Sequence, residues 1–246
     1  MHESVAGGIL VAVTPTSLAG PDLRLRDLAY AGLLSAIFMA PLTIVAAPLL
    51  LASKWNQVTI GVTLEAASVL PAVFLIARWR GARHLDQFGL GRCSWRKILF
   101  LGLLGGLLLF LMVQGCGSLM ERCGARFAPQ KILAETLLLD RRPDRLLLFL
   151  LIAAVIAPLW EEIFFRGLAY PAIRRRLGVT AGVLLSGVLF AMLHAEPLFM
   201  RVPIFLLGAC LAIFYERAGS LYVPILAHGV ANTLSTLLTY YGLVRS

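Results

Sequence analysis

The sequence predicts an all-α protein, a polytopic transmembrane helical bundle of about seven to eight spans. Of its 246 residues, 59% are hydrophobic and 14% are charged, whereas soluble domains carry about 25% charged residues. The apolar residues form long stretches, and a bilayer-spanning helix needs about 20 of them in a row. Four stretches reach this length, at 30–52, 57–77, 98–120 and 145–165, and shorter, interrupted apolar runs follow at 180–194, 202–216 and 221–242.

The order of these stretches suggests one domain in three sections. Residues 1–29 form a leader that we expect to be poorly ordered or interfacial. It is not a convincing signal peptide, because residues 1–13 lack a basic region. Residues 30–140 contain the N-terminal spans and their basic connectors. Residues 141–246 form the core that carries the polar motifs, and we expect them to fold together with 30–140.

Shorter features predict how the first spans are joined and packed. Lys54, Asn56 and Gln57 predict a tight turn between the first two spans. Gly102 and Gly106, four residues apart, permit another helix to approach the third span closely. The charged connector at 121–145 has room for one amphipathic helix, Pro129 to Leu139.

The net charge of +9 does not indicate nucleic-acid binding, because the basic residues cluster between apolar stretches. Such clusters are typical of connectors that face anionic lipid and the cytoplasm. The four cysteines show no metal-binding or disulfide spacing. We therefore expect an integral, multi-pass membrane protein, and the compact length favours a prokaryotic cell membrane.

Two adjacent carboxylates, Glu161 and Glu162, end the apolar run that begins at Leu146. An acidic residue at the centre of a membrane helix costs about 2.5–3.5 kcal/mol on the translocon scale, so such residues are candidates for function. Glu162 and Arg166 are four residues apart and share a helical face, which predicts an ion pair. Glu161 lies about 100° away around the helix and is available for another role.

Two further motifs follow in apolar surroundings. Phe190 and His194 occur in Phe-Ala-Met-Leu-His, and His228 and Asn232 occur in His-Gly-Val-Ala-Asn. A single histidine in an apolar helix is often a hydrogen-bonded core residue, and the His228–Asn232 pair is compatible with a simple interhelical hydrogen bond. All these polar residues nevertheless occur within about 70 positions of one another in apolar surroundings, and this clustering favours a catalytic site.

Two chemistries fit this set of residues. In the first, Glu161 acts as general base and, with His194, activates a water that attacks a peptide carbonyl. His228 and Asn232 then donate hydrogen bonds to the oxyanion. In the second, Glu161, His194 and His228 bind zinc, although the sequence contains no HExxH motif.

At these motifs the sequence resembles the CPBP family, named for CAAX proteases and bacteriocin-processing enzymes and also called the Abi family. The resemblance covers about residues 145–240 and implies an α-helical intramembrane endopeptidase, for which database labels also include metalloprotease. It implies that Glu161 and His194 activate water and that His228 and Asn232 form the oxyanion hole. Of the two chemistries we favour this one, without a cofactor, because it gives a role to Asn232, and asparagine is a poor zinc ligand. Glu162, Arg166 and Phe190 would support the site. The implied substrate is a membrane protein, or a lipidated protein or peptide.

Two other classes of function remain open at this point. A non-catalytic immunity or peptide-binding protein could use the same cavity, and its function would survive Glu161→Gln. A small transporter could use buried Glu and His side chains as a proton relay. The transporter hypothesis predicts an inverted repeat with broken helices, and the two halves of this sequence show no such repeat.

Overall fold

A computed structural model describes residues 22–52, 54–91, 93–124, 142–194 and 198–245. These residues form helices and connecting turns without any strand, which confirms the all-α prediction. The helices are α1 (Leu25–Ala52), α2 (Lys54–Trp79), α3 (Trp95–Arg122), α4 (Pro143–Leu151), α5 (Ala157–Phe164), α6 (Tyr170–Leu193), α7 (Arg201–Ala218) and α8 (Tyr222–Arg245). Short 3₁₀ turns occupy Leu85–Phe88 and Leu198–Met200.

Helices α4, α5 and α6 follow one another without a loop. Two π-helical segments, Ile152–Ile156 and Phe165–Ala169, join them. Such π segments are rare and occur frequently at functional sites. α6 is interrupted at Gly178, whose φ of 84° and ψ of 174° are not helical. Because glycine has no Cβ, it tolerates this positive φ, and the chain can start a second helix there.

Four segments are long and apolar enough to cross a membrane: Leu25–Ala52, Gln57–Trp79, Trp95–Arg122 and Pro143–Leu193. The last contains 51 residues, more than twice the number that one crossing requires. The break at Gly178 divides it into the separate stretches that the sequence analysis places at 145–165 and 180–194. The membrane-bundle class is therefore confirmed, while the total of seven to eight spans stays a prediction.

Large apolar side chains cover much of the outer surface. On α1, for example, Ile44 is 74% exposed, and Val45 and Leu51 are each 81% exposed. A water-soluble monomer rarely exposes contiguous apolar surface on this scale. The same surface is favourable against lipid, so the outside of the bundle agrees with an integral membrane protein.

α1 and α2 form an antiparallel pair that is fastened by a buried ion pair. The carboxylate of Asp27 accepts hydrogen bonds from Nε of Arg80 at 2.9 and 3.0 Å and from the backbone N–H of Arg24 at 2.7 Å. Asp27 is completely buried. Nearby, Asp22 pairs with Arg24 and Arg175, and the hydrogen bond from Arg24 is the main reason why the pKa of Asp22 lies below its usual range.

α3 packs closely against α8 through the glycines that the sequence analysis singled out. A Cβ at Gly102 would lie 2.6 Å from Cδ2 of Leu226, and a Cβ at Gly106 would lie 2.5 Å from Cβ of Val230. Real Cβ contacts are essentially never below 3.0 Å. These two glycines therefore allow α8, which carries His228 and Asn232, to approach α3.

Several boundaries differ from the sequence analysis or lie outside the described residues. The tight turn predicted at Lys54, Asn56 and Gln57 is wrong, because α2 already begins at Lys54. α1 begins at Leu25, inside the section assigned to the leader. Most of that leader, residues 1–21, and the amphipathic helix predicted for Pro129 to Leu139 lie outside the described residues.

Candidate active site

Glu162 lies at the centre of a buried polar cluster. Its Oε1 accepts hydrogen bonds from Nη1 of Arg166 and from Nδ1 of His228, each at 2.9 Å. Glu162 and Arg166 are fully buried, and His228 is 4% exposed. The ion pair expected from the four-residue spacing is thus present, and it is extended by a histidine from α8.

The Arg166 guanidinium connects this cluster to a third part of the bundle. Its Nη2 donates a 2.6 Å hydrogen bond to the carbonyl oxygen of Gly208 on α7. The same guanidinium lies 4.9 Å from the centre of the Phe190 ring, within the range of a cation–π interaction. Arg166 belongs to the second π segment, Phe165–Ala169. The local geometry there directs a charged side chain into the bundle.

The Phe190 ring packs against three of the predicted polar residues, which gives the Phe-x-x-x-His motif a physical explanation. Its centre lies 4.6 Å from the His194 ring and 5.8 Å from the His228 ring, besides its contact with Arg166. Phe190 is 1% exposed. A Cβ at Gly208 would lie 3.0 Å from Cβ of Phe190. Phe190 therefore supports both histidines, and α7 packs directly against it.

Glu161 points away from Glu162, as the helical offset predicts. It is 9% exposed and lines a cavity of about 410 Å³ together with His194, Trp160 and residues of α1 and α2. Its Oε2 lies 3.9 Å from Nε2 of His228 and has no hydrogen-bond partner. A separation of 3.9 Å is too long for a direct hydrogen bond, so Glu161 and His228 face each other within ion-pair distance but are not hydrogen-bonded.

The hydrogen bonds of His228 restrict its chemistry. The carboxylate of Glu162, which is paired with Arg166, can only accept hydrogen bonds. Nδ1 of His228, which is bonded to it, must therefore carry a proton. The other nitrogen, Nε2, is then an acceptor in the neutral ring and a donor only in the protonated ring. Glu162 thus fixes the orientation and the tautomer of His228.

The remaining two motif residues are held by backbone carbonyls. Nδ1 of His194 lies 2.7 Å from the carbonyl oxygen of Phe190, at the end of α6. Nδ2 of Asn232 donates a 2.8 Å hydrogen bond to the carbonyl oxygen of Ala153, within the first π segment. His194 reaches the cavity, whereas Asn232 contacts the π segment that leads to the glutamates. Among the described residues, the side chain of Asn232 is hydrogen-bonded to Ala153 and not to Glu161.

The set proposed for zinc, Glu161, His194 and His228, does not form a ligand cluster. Across the described parts of the chain, no group of three or more His, Cys, Asp or Glu side chains lies close enough to hold a metal ion. Nδ1 of His228 is already engaged with Glu162, and its Nε2 is 3.9 Å from Glu161. We therefore derive no chemical step through a metal.

One ionisable residue of the cavity belongs to none of the three motifs and was not predicted. Glu65 of α2 lines it beside Glu161, as do Ser35 and Gly32 of α1. A signal was present in the sequence, because Glu65 is a carboxylate inside the apolar stretch 57–77. It belongs to none of the three motifs, and sequence spacing does not show that α2 lies beside α5.

The buried cluster lies entirely within residues 143–234. These residues match the Rce1-like family, whose description is "Type II CAAX prenyl endopeptidase Rce1-like". Over these residues the chain is similar to that family. The resemblance to the CPBP membrane proteases is thereby confirmed for the C-terminal part of the chain, where α4 to α8 position the three motifs.

Two curated relatives match part of the chain. The chain is 32% identical over 113 residues to an Escherichia coli protein called "Uncharacterized 24.3 kDa protein", covering 44% of this chain and 52% of the relative. It is 28% identical over 91 residues to the "Putative membrane peptidase YdiL" of Bacillus subtilis (strain 168), covering 37% of each chain. The match thus spans about half, or less, of each relative's length. No solved structure shows a significant match to the chain.

Proposed function

We propose that this protein is an intramembrane endopeptidase that hydrolyses a peptide bond with a water molecule activated by Glu161. The observation that carries the proposal is the contrast between the two adjacent glutamates. Glu162 is bound to Arg166 and His228, whereas Glu161 lines a cavity with an unpartnered carboxylate oxygen. The family match and the relative named as a membrane peptidase support the same class of activity.

In the proposed reaction, Glu161 removes a proton from water as the water oxygen attacks the peptide carbonyl carbon. An oxygen atom can lie within hydrogen-bonding distance of both Oε2 of Glu161 and Nε2 of His228, because these atoms are 3.9 Å apart. Collapse of the tetrahedral intermediate breaks the C–N bond, and the proton held by Glu161 passes to the leaving amine. His194, on the same cavity, assists in orienting the water.

The oxyanion of the intermediate is assigned to His228 and Asn232. His228 can donate from Nε2 when its ring is protonated, and the Glu162 carboxylate at Nδ1 stabilises that positive charge. Asn232 donates one amide hydrogen to Ala153 and has a second amide hydrogen on the same nitrogen. Removal of one oxyanion donor typically lowers the rate by about 10²–10³.

The substrate that fits a site within the helix bundle is a membrane protein, or a lipidated protein or peptide. We place the enzyme in a prokaryotic cell membrane and assign it no cofactor. A zinc-dependent reaction, the alternative, predicts that activity is lost on treatment with a chelator and is restored by zinc. Chelator-resistant cleavage would support the glutamate mechanism.

The proposal is tested by comparing peptide termini of membrane proteins in cells that carry wild type or Glu161→Gln. Glutamine keeps the size of the side chain but cannot take a proton from water, so we expect new termini only with wild type. Glu121→Gln, at the exposed end of α3, is the matched control and should retain them. Identical termini with Glu161→Gln at normal abundance would contradict the proposal and favour a binding or immunity function.

A further inference from the structure

The cavity in front of Glu161 has a second carboxylate that the proposed reaction does not use. Glu65 lies in the membrane segment Gln57–Trp79, about 12 Å along the helix axis from Gln57. It is exposed and lines the cavity together with Glu161 and His194. An ionisable side chain at this depth is costly in lipid and is a functional candidate by default.

Within the described part of the chain, Glu65 has no cationic partner at this cavity. Among the described residues, Glu65 forms no hydrogen bond or ion pair, and the described cavity lining contains neither lysine nor arginine. The nearest guanidinium of the cluster, Arg166, is bound to Glu162 and Gly208. Glu65 and Glu161 lie close enough for their charges to interact. The cavity therefore attracts a cation and repels an anion.

Other polar atoms at the cavity are also unpartnered. These are Oγ of Ser35, Nε1 of Trp160 and Oε2 of Glu161, and Glu161 is more than nine-tenths buried. Buried polar atoms of proteins normally have hydrogen-bond partners. A hydroxyl group, an N–H donor and a carboxylate oxygen together complement the N–H and C=O groups of an extended peptide. The part of the cavity formed by Ser35 of α1 and by Trp160 and Glu161 of α5 thus has the chemistry of a peptide-binding surface.

We propose that Glu65 forms a substrate subsite that binds the cationic side chain of a lysine or arginine beside the scissile bond. This inference rests on the proposed function and names the class of substrate for the same site. Ser35 and Trp160 bind the adjacent peptide groups, while Glu65 supplies the charge that selects the side chain. A substrate with an acidic residue, or a free carboxyl terminus, at this position is disfavoured by Glu65 and Glu161 together.

The first test uses the termini that depend on Glu161, that is, those present with wild type and absent with Glu161→Gln. Their flanking sequences are compared in cells carrying wild type, Glu65→Asp, Glu65→Gln or Glu65→Lys. With wild type and with Glu65→Asp, we expect a lysine or arginine at one fixed position relative to the cleaved bond. Glu65→Gln should lose this preference, and Glu65→Lys should favour aspartate or glutamate at the same position.

The second test uses purified protein in lipid vesicles. Its substrate is a synthetic peptide that spans the cleavage site identified from one such terminus. Glu65→Gln, or replacement of the peptide lysine by glutamine, should lower kcat/KM by about 10- to 100-fold, mainly through KM, because a charged hydrogen bond to substrate is lost. Combining the two changes should lower it little further. Glu65→Lys should cleave best the peptide with glutamate at that position, which a merely structural role of Glu65 would not produce.

The outcomes separate this inference from the proposed function. Glu161-dependent termini without a basic preference, or with the same preference in Glu65→Gln, would overturn the subsite and leave the protease assignment intact. Absence of Glu161-dependent termini would overturn both. Loss of cleavage on acetylation of the peptide amino terminus, with no effect of the lysine replacement, would assign the cation to the terminal amine and overturn the side-chain subsite.

Discussion

One oxygen atom of Glu162 connects α5 to Arg166 of the second π segment and to His228 of α8. The spacing of Glu162 and Arg166 was sufficient to predict their ion pair, because residues four apart share a face of a helix. The third partner lies 66 residues further along the chain. No local rule predicts that contact, so the sequence indicated the residues of the cluster but not which glutamate binds His228.

The Arg166→Ala variant should be strongly destabilised. It would leave Glu162 buried without its ionic partner, and breaking a buried pair in this way costs about 3–5 kcal/mol. Thermal unfolding in detergent should therefore show a clearly lower free energy of unfolding than wild type. Arg142→Ala removes an exposed pair with Asp144 and should cost at most about 1 kcal/mol. Equal stability of the two variants would show that the buried pair is not important for folding.

At the scale of the elements, helix contacts through glycine determine where the motif side chains lie. A Cβ at Gly229 would lie 2.4 Å from the backbone oxygen of Ala154, in the first π segment. Gly229 follows His228 directly, and Asn232 bonds to the neighbouring carbonyl of Ala153. The apolar stretches predicted these helices well, because length and hydropathy are local properties. The π segments were not predicted, since they depend on packing between helices.

The Gly229→Ala variant should lose both stability and activity. The backbone at Ala154 cannot move as a flexible side chain can, so α8 must shift, and overpacking of this kind costs about 1–3 kcal/mol. Gly242→Ala is the matched control on the same helix, because nothing lies within 4 Å of its added Cβ. Thermal unfolding and cleavage should both separate the two variants. A Gly229→Ala protein as stable and active as Gly242→Ala would contradict the close contact.

At the scale of the whole molecule, the cavity is a joint product of both halves of the chain. α5 and α6 contribute Glu161 and His194, and α1 and α2 contribute Ser35 and Glu65. The Asp27–Arg80 ion pair fastens α1 to the end of α2 and so fixes the wall opposite Glu161. The motifs indicated the half that holds the buried polar cluster, because their residues carry recognisable chemistry. The opposite wall has no motif, and only the tertiary structure shows that it faces the site.

The most direct test of the central claim measures the rate of peptide cleavage by purified protein in lipid vesicles. The peptide spans a cleavage site that was identified from a terminus in cells. A general base contributes about 10²–10⁴-fold to a rate, so Glu161→Gln should lower kcat by that factor. Glu121→Gln changes an exposed residue that does not line the cavity, so it should keep the wild-type rate. Cleavage by Glu161→Gln at the wild-type rate would remove Glu161 from the mechanism and contradict the account.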